Sequence, residues 1–297
     1  MSKSINTSRR STIKKMVGSV ALTSVGISLS QRVSAAEVAI GDKLRGRIKH
    51  SVCRWCYSEV PFEDLCKVAN EIGITSIELI GPDEWPIAKK HNLTCAMPNG
   101  AGKGLEYGFN DLALHDELIK SYIDIIPKVA AAGLKQIICF SGNRRGLDDK
   151  QGIENCAIGL KRLMPIAEKY KIILSMELLN SKVDHPDYQC DHSAWGIALC
   201  DKVGSDYFKL LYDIYHMQIM EGNIIATIQK YHTYFSHYHT GGVPGRHEID
   251  ETQEINYAAI IKAIVETGYT GFVAQEFFPK RADKMASLKQ GVLICDV

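Results

Sequence analysis

Residues 172–178 read IILSMEL, an apolar run that reaches an acid, Glu177, near its end. Three later stretches have the same form and close on an acid or an imidazole: KLLYD at 209–213, FSHYHTGG at 235–242 and FVAQEF at 272–277. Short runs of this kind, bounded by turn residues, are typical of buried parallel strands. Their polar ends lie 36, 26 and 37 residues apart, which leaves room for a helix and two loops between successive strands. The pattern predicts repeated strand-helix units in a parallel sheet.

The same alternation extends through the rest of the chain after residue 47. Eight strands are predicted, at 48–53, 74–80, 93–97, 136–140, 172–177, 209–213, 234–239 and 271–276. The predicted helices lie at 61–72, 83–91, 114–132, 149–170, 192–203, 222–230 and 257–266, with a last one beyond Pro279. Eight such units in a chain of 297 residues with 45% hydrophobic content predict an α/β fold, a single (β/α)8 TIM barrel, over residues 37–297.

The polar strand ends predict a metal site, because the C-terminal ends of barrel strands converge at one rim. One acid at a strand end is more often a helix cap or a loop hydrogen-bonder than a ligand. Four polar ends in succession, with no Lys or Arg beside them on their strands, instead indicate a bound cation. Three carboxylates and one imidazole favour Mn²⁺, Mg²⁺ or Co²⁺ over a thiolate-bound zinc. The predicted ligands are Glu177, Asp213, His239 and Glu276.

Two further side chains are predicted to contact substrate at this rim. His216 follows Asp213 by three residues, so a contact with a substrate hydroxyl is favoured over a surface-loop histidine or a donor to a metal ligand. Arg246 lies in a glycine-punctuated loop after His239, and its rigid fork suits a carboxylate or a phosphate. The alternative for Arg246 is a surface ion pair with Glu248 or Asp250.

The first 36 residues differ in composition from the remainder. They contain six basic residues and no acid, and an apolar stretch runs through 16–29. This is the outline of a signal peptide, with small residues for cleavage at 33–35. Residues 8–14, SRRSTIK, resemble the twin-arginine export motif, apart from Thr12 where an aromatic residue is common. The prediction is a periplasmic or otherwise exported protein; a Sec signal and a retained anchor are the alternatives.

Charge and cysteine content exclude several classes of function. Beyond residue 36 the chain has 29 basic and 34 acidic side chains, so nucleic acid and anionic membranes are not expected as partners. The sequence is compatible with a homo-oligomer but does not define one. The nine cysteines are an odd number, several of them inside apolar runs, and most are predicted to be buried free thiols. The CxxC spacing of Cys53 and Cys56 alone is weak support for redox or metal use.

From about Val52 to Pro279 the chain resembles the xylose-isomerase-like barrel superfamily, and within it the hydroxypyruvate isomerase family. The resemblance is carried by MELLN at 176–180, LYDIYHMQ at 211–218, VPGRHE at 243–248 with INY at 255–257, and QEF at 275–277. It implies a divalent ion held by the four predicted ligands, with Glu177 and Glu276 as the proton-transfer groups. It also implies that His216 and Arg246 contact substrate oxygens.

The resemblance implies an isomerase of a small hydroxy-carbonyl compound, such as hydroxypyruvate and tartronate semialdehyde, acting through an enediolate. One departure concerns His239, because hydroxypyruvate isomerases commonly have glutamine there, whereas the ketose epimerases of the superfamily have histidine. A ketose or sugar-derivative 3-epimerase is therefore the alternative, and export to an envelope compartment favours a sugar substrate. A non-catalytic sugar-binding barrel is a third interpretation, but both glutamates that catalysis needs are present.

Overall fold

Seven parallel strands form one curled sheet within residues 43–297, the part of the chain that the computed structural model describes. The strands are β1 (Lys49–Cys53), β2 (Ser76–Glu78), β3 (Gln136–Cys139), β4 (Ile173–Glu177), β5 (Phe208–Asp213), β6 (Phe235–Thr240) and β7 (Phe272–Gln275). Their order in the sheet is β2-β1-β7-β6-β5-β4-β3, with every pairing parallel. The predicted signal peptide, and the domain boundary after it, lie outside the described residues.

The predicted strand at 93–97 corresponds to an irregular segment between the two outer strands, β2 and β3. Thr94 forms a single parallel bridge with Ser76, and the N–H of Leu79 donates to the carbonyl of Met97 at 2.8 Å. At Ala96 both backbone groups pair with side chains, since its N–H donates to Ser76 Oγ and its carbonyl accepts from Gln136 Nε2. A regular ladder therefore breaks there. The barrel prediction is confirmed. The third of the eight predicted strands is this irregular segment, so the sheet has seven strands.

The helices occupy the intervals that the sequence predicts, with one addition. They are α1 (Phe62–Ile72), α2 (Trp85–Lys90), α3 (His115–Ala131), α4 (Asp149–Tyr170), α5 (Ser193–Val203), α6 (Ile214–Met220), α7 (Ile224–Tyr231), α8 (Tyr257–Glu266) and α9 (Lys284–Cys295), with short 3-10 turns at Arg54–Tyr57, Leu112–Leu114 and His232–Tyr234. The helix predicted at 222–230 is α7, and the terminal helix predicted beyond Pro279 is α9. The additional helix, α6, starts directly from the end of β5.

Local sequence explains where several helices begin and end. The side chains of Asp148, Asn256 and Asp283 each accept a hydrogen bond from the backbone N–H three residues later, which caps α4, α8 and α9. At the other end, Gly73 and Gly204 adopt the left-handed conformation that terminates α1 and α5. These signals were readable in the sequence because they involve only near neighbours in the chain.

Side-chain alternation along the strands separates an apolar outer layer from a partly polar interior. On β4, Leu174 and Met176 belong to the main hydrophobic core, whereas Ser175 and Glu177 share the opposite face. Inside the barrel, Ser175 Oγ donates to Gln136 Oε1 and pairs with Ser236 Oγ at 2.8 Å. This interior therefore contains a hydrogen-bonded polar layer beneath the strand ends.

Two further observations on residues 43–297 concern the cysteines and the apolar character of the helices. All nine cysteines are buried free thiols, as the sequence predicts. Within this range no helix has both the length and the apolar character needed to cross a bilayer.

Candidate metal centre

The structure brings together the four strand-end side chains that the sequence singles out. Glu177, Asp213 and His239 lie on β4, β5 and β6, and Glu276 follows the last residue of β7. One ligand atom from each lies within 4.8 Å of the other three. All four are buried, with at most 4% of any residue exposed. They form one compact group, called here the carboxylate cluster.

Strand register explains why these residues meet. Asp213 lies opposite His239 in the β5–β6 ladder, and His239 lies opposite Ala274 in the β6–β7 ladder. Glu276 is two residues beyond Ala274 and so continues the same inward face. The β5–β6 pairing is irregular at Leu210 and Leu211.

His239 lies at the centre of the cluster and both of its ring nitrogens have carboxylate partners. Its Nδ1 is 2.8 Å from Glu276 Oε2 and 3.2 Å from Glu177 Oε1. Its Nε2 is 2.7 Å from Oε1 of Glu78, which lies on β2. Burial lowers the pKa of His239, but the surrounding negative groups, Glu276 foremost, outweigh burial and raise that pKa well above its usual value.

Two oxygens of the cluster have no hydrogen-bond partner although they are buried. These atoms are Glu177 Oε1 and Asp213 Oδ2. Burial is the main cause that raises the pKa of both carboxyls, and in Glu177 the charge of Glu276 adds to it. Unpaired buried carboxylate oxygens are costly unless a cation compensates them. The donor set therefore fits a hard or borderline divalent ion, which Glu177, Asp213, His239 and Glu276 could hold.

Arg246 supplies a positive charge beside the cluster, whereas Lys209, the basic residue of β5, lies near the other end of that strand and pairs with Asp206. Its Nη2 donates to Glu276 Oε2 at 2.6 Å and lies 3.6 Å from Asp213 Oδ2. The guanidinium lies 5.1 Å from the ring centre of Trp55 and 5.3 Å from that of Tyr215. The absence of Lys and Arg next to the cluster on its strands is thus offset by the loop after β6. Arg246 pairs with Glu276 and Asp213 but not with Glu177, so the case for a cation holds.

The surface ion pairs considered for Arg246 are not formed. Glu248 instead accepts hydrogen bonds from the backbone N–H groups of Lys280 and Arg281, and Asp250 pairs with Arg281. Arg246 itself is 8% exposed and faces the cluster.

His216 is buried behind Asp213. Its Nδ1 accepts hydrogen bonds from the backbone and side-chain amides of Asn180, at 3.1 and 2.6 Å. Its Nε2 lies 3.6 Å from Asp213 Oδ2. Burial, and after it the charge of Arg246, lowers the pKa of His216 well below its usual value. His216 therefore lies beside Asp213, where the alternative of a donor to a metal ligand places it, and its contact with substrate stays a prediction.

A cavity of about 650 Å³ opens onto the cluster. Its polar lining includes Glu177, Glu276, Arg246, His185 and Asn99, whereas His216 is not part of it. Its apolar lining is formed by Trp55, Leu79, Leu105, Ile138, Phe140 and Leu179. Glycines 100, 102 and 104, from the Gly-rich loop after the irregular segment, complete the wall. The cavity gives a small molecule access to both glutamates.

Sequence reasoning missed two residues of this region. Glu78 is fully buried and contacts His239, and His185 lines the cavity. Trp55, which the sequence offers as an apolar wall over a small ligand, does line the cavity, and its Nε1 also donates to Glu276 Oε1 at 2.8 Å. Burial raises the pKa of Glu78, but His237 and His239 outweigh burial and lower it to about 2. Glu78 carried a signal, because it is an ionisable residue in an apolar predicted strand, as the four cluster residues are. The predicted strand extended to residue 80, which hid that β2 ends at Glu78.

Comparison with known proteins assigns the chain to a family. The sequence model of the xylose isomerase-like TIM barrel family matches residues 66–293. The chain belongs to this family. A member from Drosophila melanogaster named putative hydroxypyruvate isomerase is 27% identical over 224 residues, which cover 72% of this chain and 84% of that protein. The 2-oxo-tetronate isomerase of Haemophilus influenzae is 28% identical over 239 residues, 75% of this chain and 90% of that one.

A solved structure shares the same barrel. The crystal structure of a family 2 AP endonuclease from Brucella melitensis superposes with a TM-score of 0.72 and 26% identity, covering 82% of this chain and 97% of the other. The family assignment agrees with the resemblance that the sequence motifs indicate.

Proposed function

We propose that this protein is a metal-dependent isomerase of a small hydroxy-carbonyl substrate, similar to hydroxypyruvate isomerase. The observation that carries the proposal is the pair Glu177 and Glu276, which both line the cavity and both belong to a cluster that could hold a divalent ion. Relatives named hydroxypyruvate isomerase and 2-oxo-tetronate isomerase cover most of the chain and support the same reaction type.

A divalent ion at the cluster would polarise the substrate carbonyl and its neighbouring hydroxyl, which acidifies the intervening C–H bond. The side chains around it divide the remaining work. Glu177 Oε1 accepts no hydrogen bond and has only an ion-pair contact with His239 Nδ1 at 3.2 Å, so we assign it the removal of a proton from carbon. Glu276 receives hydrogen bonds from Trp55 and Arg246, which hold it in one orientation beside the same cavity. Glu177 or Glu276 then returns the proton to the neighbouring carbon of the enediolate.

Arg246 would orient the substrate. Its Nε and Nη2 are bonded to the carbonyl and carboxylate of Glu276, and its remaining nitrogen, Nη1, is the atom we assign to a substrate carboxylate. Such a contact decides which carbon faces the two glutamates. The aromatic rings of Trp55 and Tyr215 restrict the movement of the guanidinium.

The volume of the cavity favours a second candidate, a ketose or sugar-derivative 3-epimerase. Pockets of about 300–1,000 Å³ hold drug-sized ligands, so a cavity of about 650 Å³ has room for more than a three-carbon acid. Its apolar wall suits the C–H face of a sugar. In the epimerase, Glu177 and Glu276 act on opposite faces of one carbon.

Proton exchange in deuterated water tests both candidates. The protein loaded with Mn²⁺ is incubated with hydroxypyruvate, a four-carbon 2-oxo acid and several ketoses, and deuterium incorporation is followed by NMR. Rearrangement with exchange identifies the isomerase, and inverted configuration with exchange identifies the epimerase. At Mn²⁺ concentrations high enough to saturate each variant, E177Q and E276Q should still bind substrate and should lose exchange. Normal exchange in both variants would contradict the assigned roles, and ligand binding without exchange in wild type would support the sugar-binding alternative.

A further inference from the structure

We propose that Glu78 is a positioning residue that holds the imidazole of His239 with its Nε2–H turned away from the carboxylate cluster and its Nδ1 lone pair directed into it. The inference rests on the metal centre proposed above. It adds a fifth residue, the fully buried acid Glu78, to that centre, and this residue does not itself line the cavity.

The two ring nitrogens of His239 have different surroundings. Nδ1 faces Glu276 and Glu177, the side on which a cation would be held. Nε2 faces Glu78 Oε1 at 2.7 Å, on the opposite side of the ring. An ionised carboxylate only accepts hydrogen bonds, so it requires a proton on Nε2. The nitrogen that remains available to a metal is then Nδ1.

Glu78 is itself anchored by a second histidine. Its Oε1 lies 2.9 Å from His237 Nε2, and His237 Nδ1 lies 3.1 Å from Gln136 Nε2. The same Gln136 amide donates to the carbonyl of Ala96, so the group facing His237 is the NH₂ and not the oxygen. His237 Nδ1 is therefore an acceptor, and its Nε2–H donates to Glu78.

This chain of hydrogen bonds extends the polar interior of the barrel up to the cluster. Gln136 Oε1 accepts from Ser175 Oγ, so every polar atom of that amide has a partner. Glu78 Oε2, by contrast, has no hydrogen-bond partner. A buried acid with one unpaired oxygen is costly to folding, and an apolar residue would fill the position without that cost. The geometry is explained if the acid is retained to orient His239.

The positioning role can be separated from a simple charge effect. Metal-binding histidines usually donate their second ring N–H to a carboxylate or carbonyl, and loss of that partner weakens metal binding by about 10- to 100-fold. E78Q removes the charge. E78D keeps the charge but withdraws the carboxylate by about one carbon–carbon bond, about 1.5 Å. If Glu78 positions His239, both substitutions should weaken metal binding. If Glu78 acted only through its charge, E78Q alone should weaken it.

The experiment measures Mn²⁺ affinity by calorimetry on the full-length chain after metal removal, for wild type, E78D, E78Q and S76A. Ser76 is the control because it is buried on the same strand and face and bonds Ser51 and Ala96 rather than His239. We expect both Glu78 variants to bind Mn²⁺ about 10- to 100-fold more weakly than wild type. We expect S76A to stay close to wild type.

Several outcomes would overturn the inference. It would be wrong if both Glu78 variants bound Mn²⁺ as tightly as wild type, or if E78D alone did so. It would also be wrong if S76A lost as much Mn²⁺ affinity as the Glu78 variants. If wild type bound no Mn²⁺ at all, the metal centre itself would be wrong, which distinguishes that failure from a failure of Glu78 alone. If the variants do not fold, NMR of ¹⁵N-histidine-labelled wild type with Zn²⁺ decides the question. A proton on His239 Nε2 supports the inference, and a proton on Nδ1 overturns it.

Discussion

The two carboxylate oxygens of Asp213 have different surroundings: Oδ1 accepts a hydrogen bond from the backbone N–H of His216 at 3.1 Å, whereas Oδ2 accepts no hydrogen bond. The first contact caps α6. The second oxygen lies within the carboxylate cluster, 3.6 Å from Arg246. A strand-end acid can therefore be both a helix cap and a candidate metal ligand, and the sequence alone had set these two interpretations against each other.

This division predicts different effects for two substitutions of Asp213. In D213N the side-chain oxygen can still cap α6, so the melting temperature should stay near that of wild type, while metal affinity falls by at least about tenfold. D213A should lose both the cap and the metal affinity. Loss of the cap should lower the free energy of unfolding by about 1 kcal/mol. Thermal unfolding of the metal-free protein and Mn²⁺ titration measure the two quantities separately. Unchanged Mn²⁺ affinity in D213N would show that Asp213 only caps the helix.

Metal binding should release protons. The pKa of His239 lies well above its usual value in the metal-free protein, where its neighbours are carboxylates, and that of Asp213 is raised by burial. Both groups bind a cation only after losing their protons, so the apparent affinity should fall as pH is lowered. Calorimetry in buffers of different ionisation enthalpy counts the protons, and we expect at least about one per ion. An affinity that does not change between pH 6 and pH 8, together with no proton release, would contradict this.

Glu248 should stabilise the loop that carries Arg246, and the effect should depend on pH. It accepts hydrogen bonds from Lys280 N–H, Arg281 N–H and Ser287 Oγ, all within 2.9 Å. Burial raises the pKa of Glu248, but these donors outweigh burial and lower that pKa. The stabilisation is then fully present above the ordinary pKa of a glutamate, about 4.3, and is lost as pH falls through the lower value of the folded protein.

The test of Glu248 is E248Q, compared with wild type by urea unfolding at neutral and acidic pH. We expect a loss of about 1–3 kcal/mol at pH 7, because one charged acceptor of three hydrogen bonds is replaced by a neutral amide. The difference between the two proteins should shrink near pH 3. A constant difference across that range would show that the charge of Glu248 contributes nothing.

Gly100 should be required for the cavity wall. A Cβ atom there would lie 2.4 Å from the carbonyl oxygen of Ile138 and 2.7 Å from the hydroxyl of Tyr122, both of which are buried. G100A should therefore displace the loop, lower stability by about 1–3 kcal/mol and raise KM for whichever substrate the exchange assay identifies.

Gly102 provides the matched control, since a Cβ there would meet only Leu118, at 3.9 Å. G102A should keep the stability and KM of wild type, although both glycines line the same cavity. Equal behaviour of G100A and G102A in unfolding and in KM would argue against a steric role for Gly100.

The sequence predicted local structure well where the cause is local. Apolar runs ending in turn residues located β4 to β7 to within about two residues, and caps such as Asp148 and Gly204 set helix ends by contacts with near neighbours. The segment at 93–97 was predicted as a strand because its apolar character suits one. Its regular pairing is interrupted by side chains of Ser76 and Gln136, from separate strands, and no local pattern reports that.

Some residues of the candidate site could likewise be identified from the sequence, and others only from the structure. The identities of Glu177, Asp213, His239 and Glu276 followed from their position at strand ends, but their proposed roles, and the export of the chain, stay predictions. Glu78 was missed because the predicted strand ran past it to residue 80, and His185 because it lies in a loop with no local pattern that marks it. The position of His216 behind Asp213 likewise depends on Asn180, from another strand end.

The sequence by itself determined the order of the strand-helix units and the acids and imidazole that end four of the strands, because periodicity and capping act over a few residues. Only the tertiary structure decided which side chains surround that group: Arg246 against Glu276, Glu78 against His239, and two carboxylate oxygens without a hydrogen-bond partner. The physical reason is that strand register and loop path set distances between residues far apart in the chain. The energies of buried charges depend on those distances.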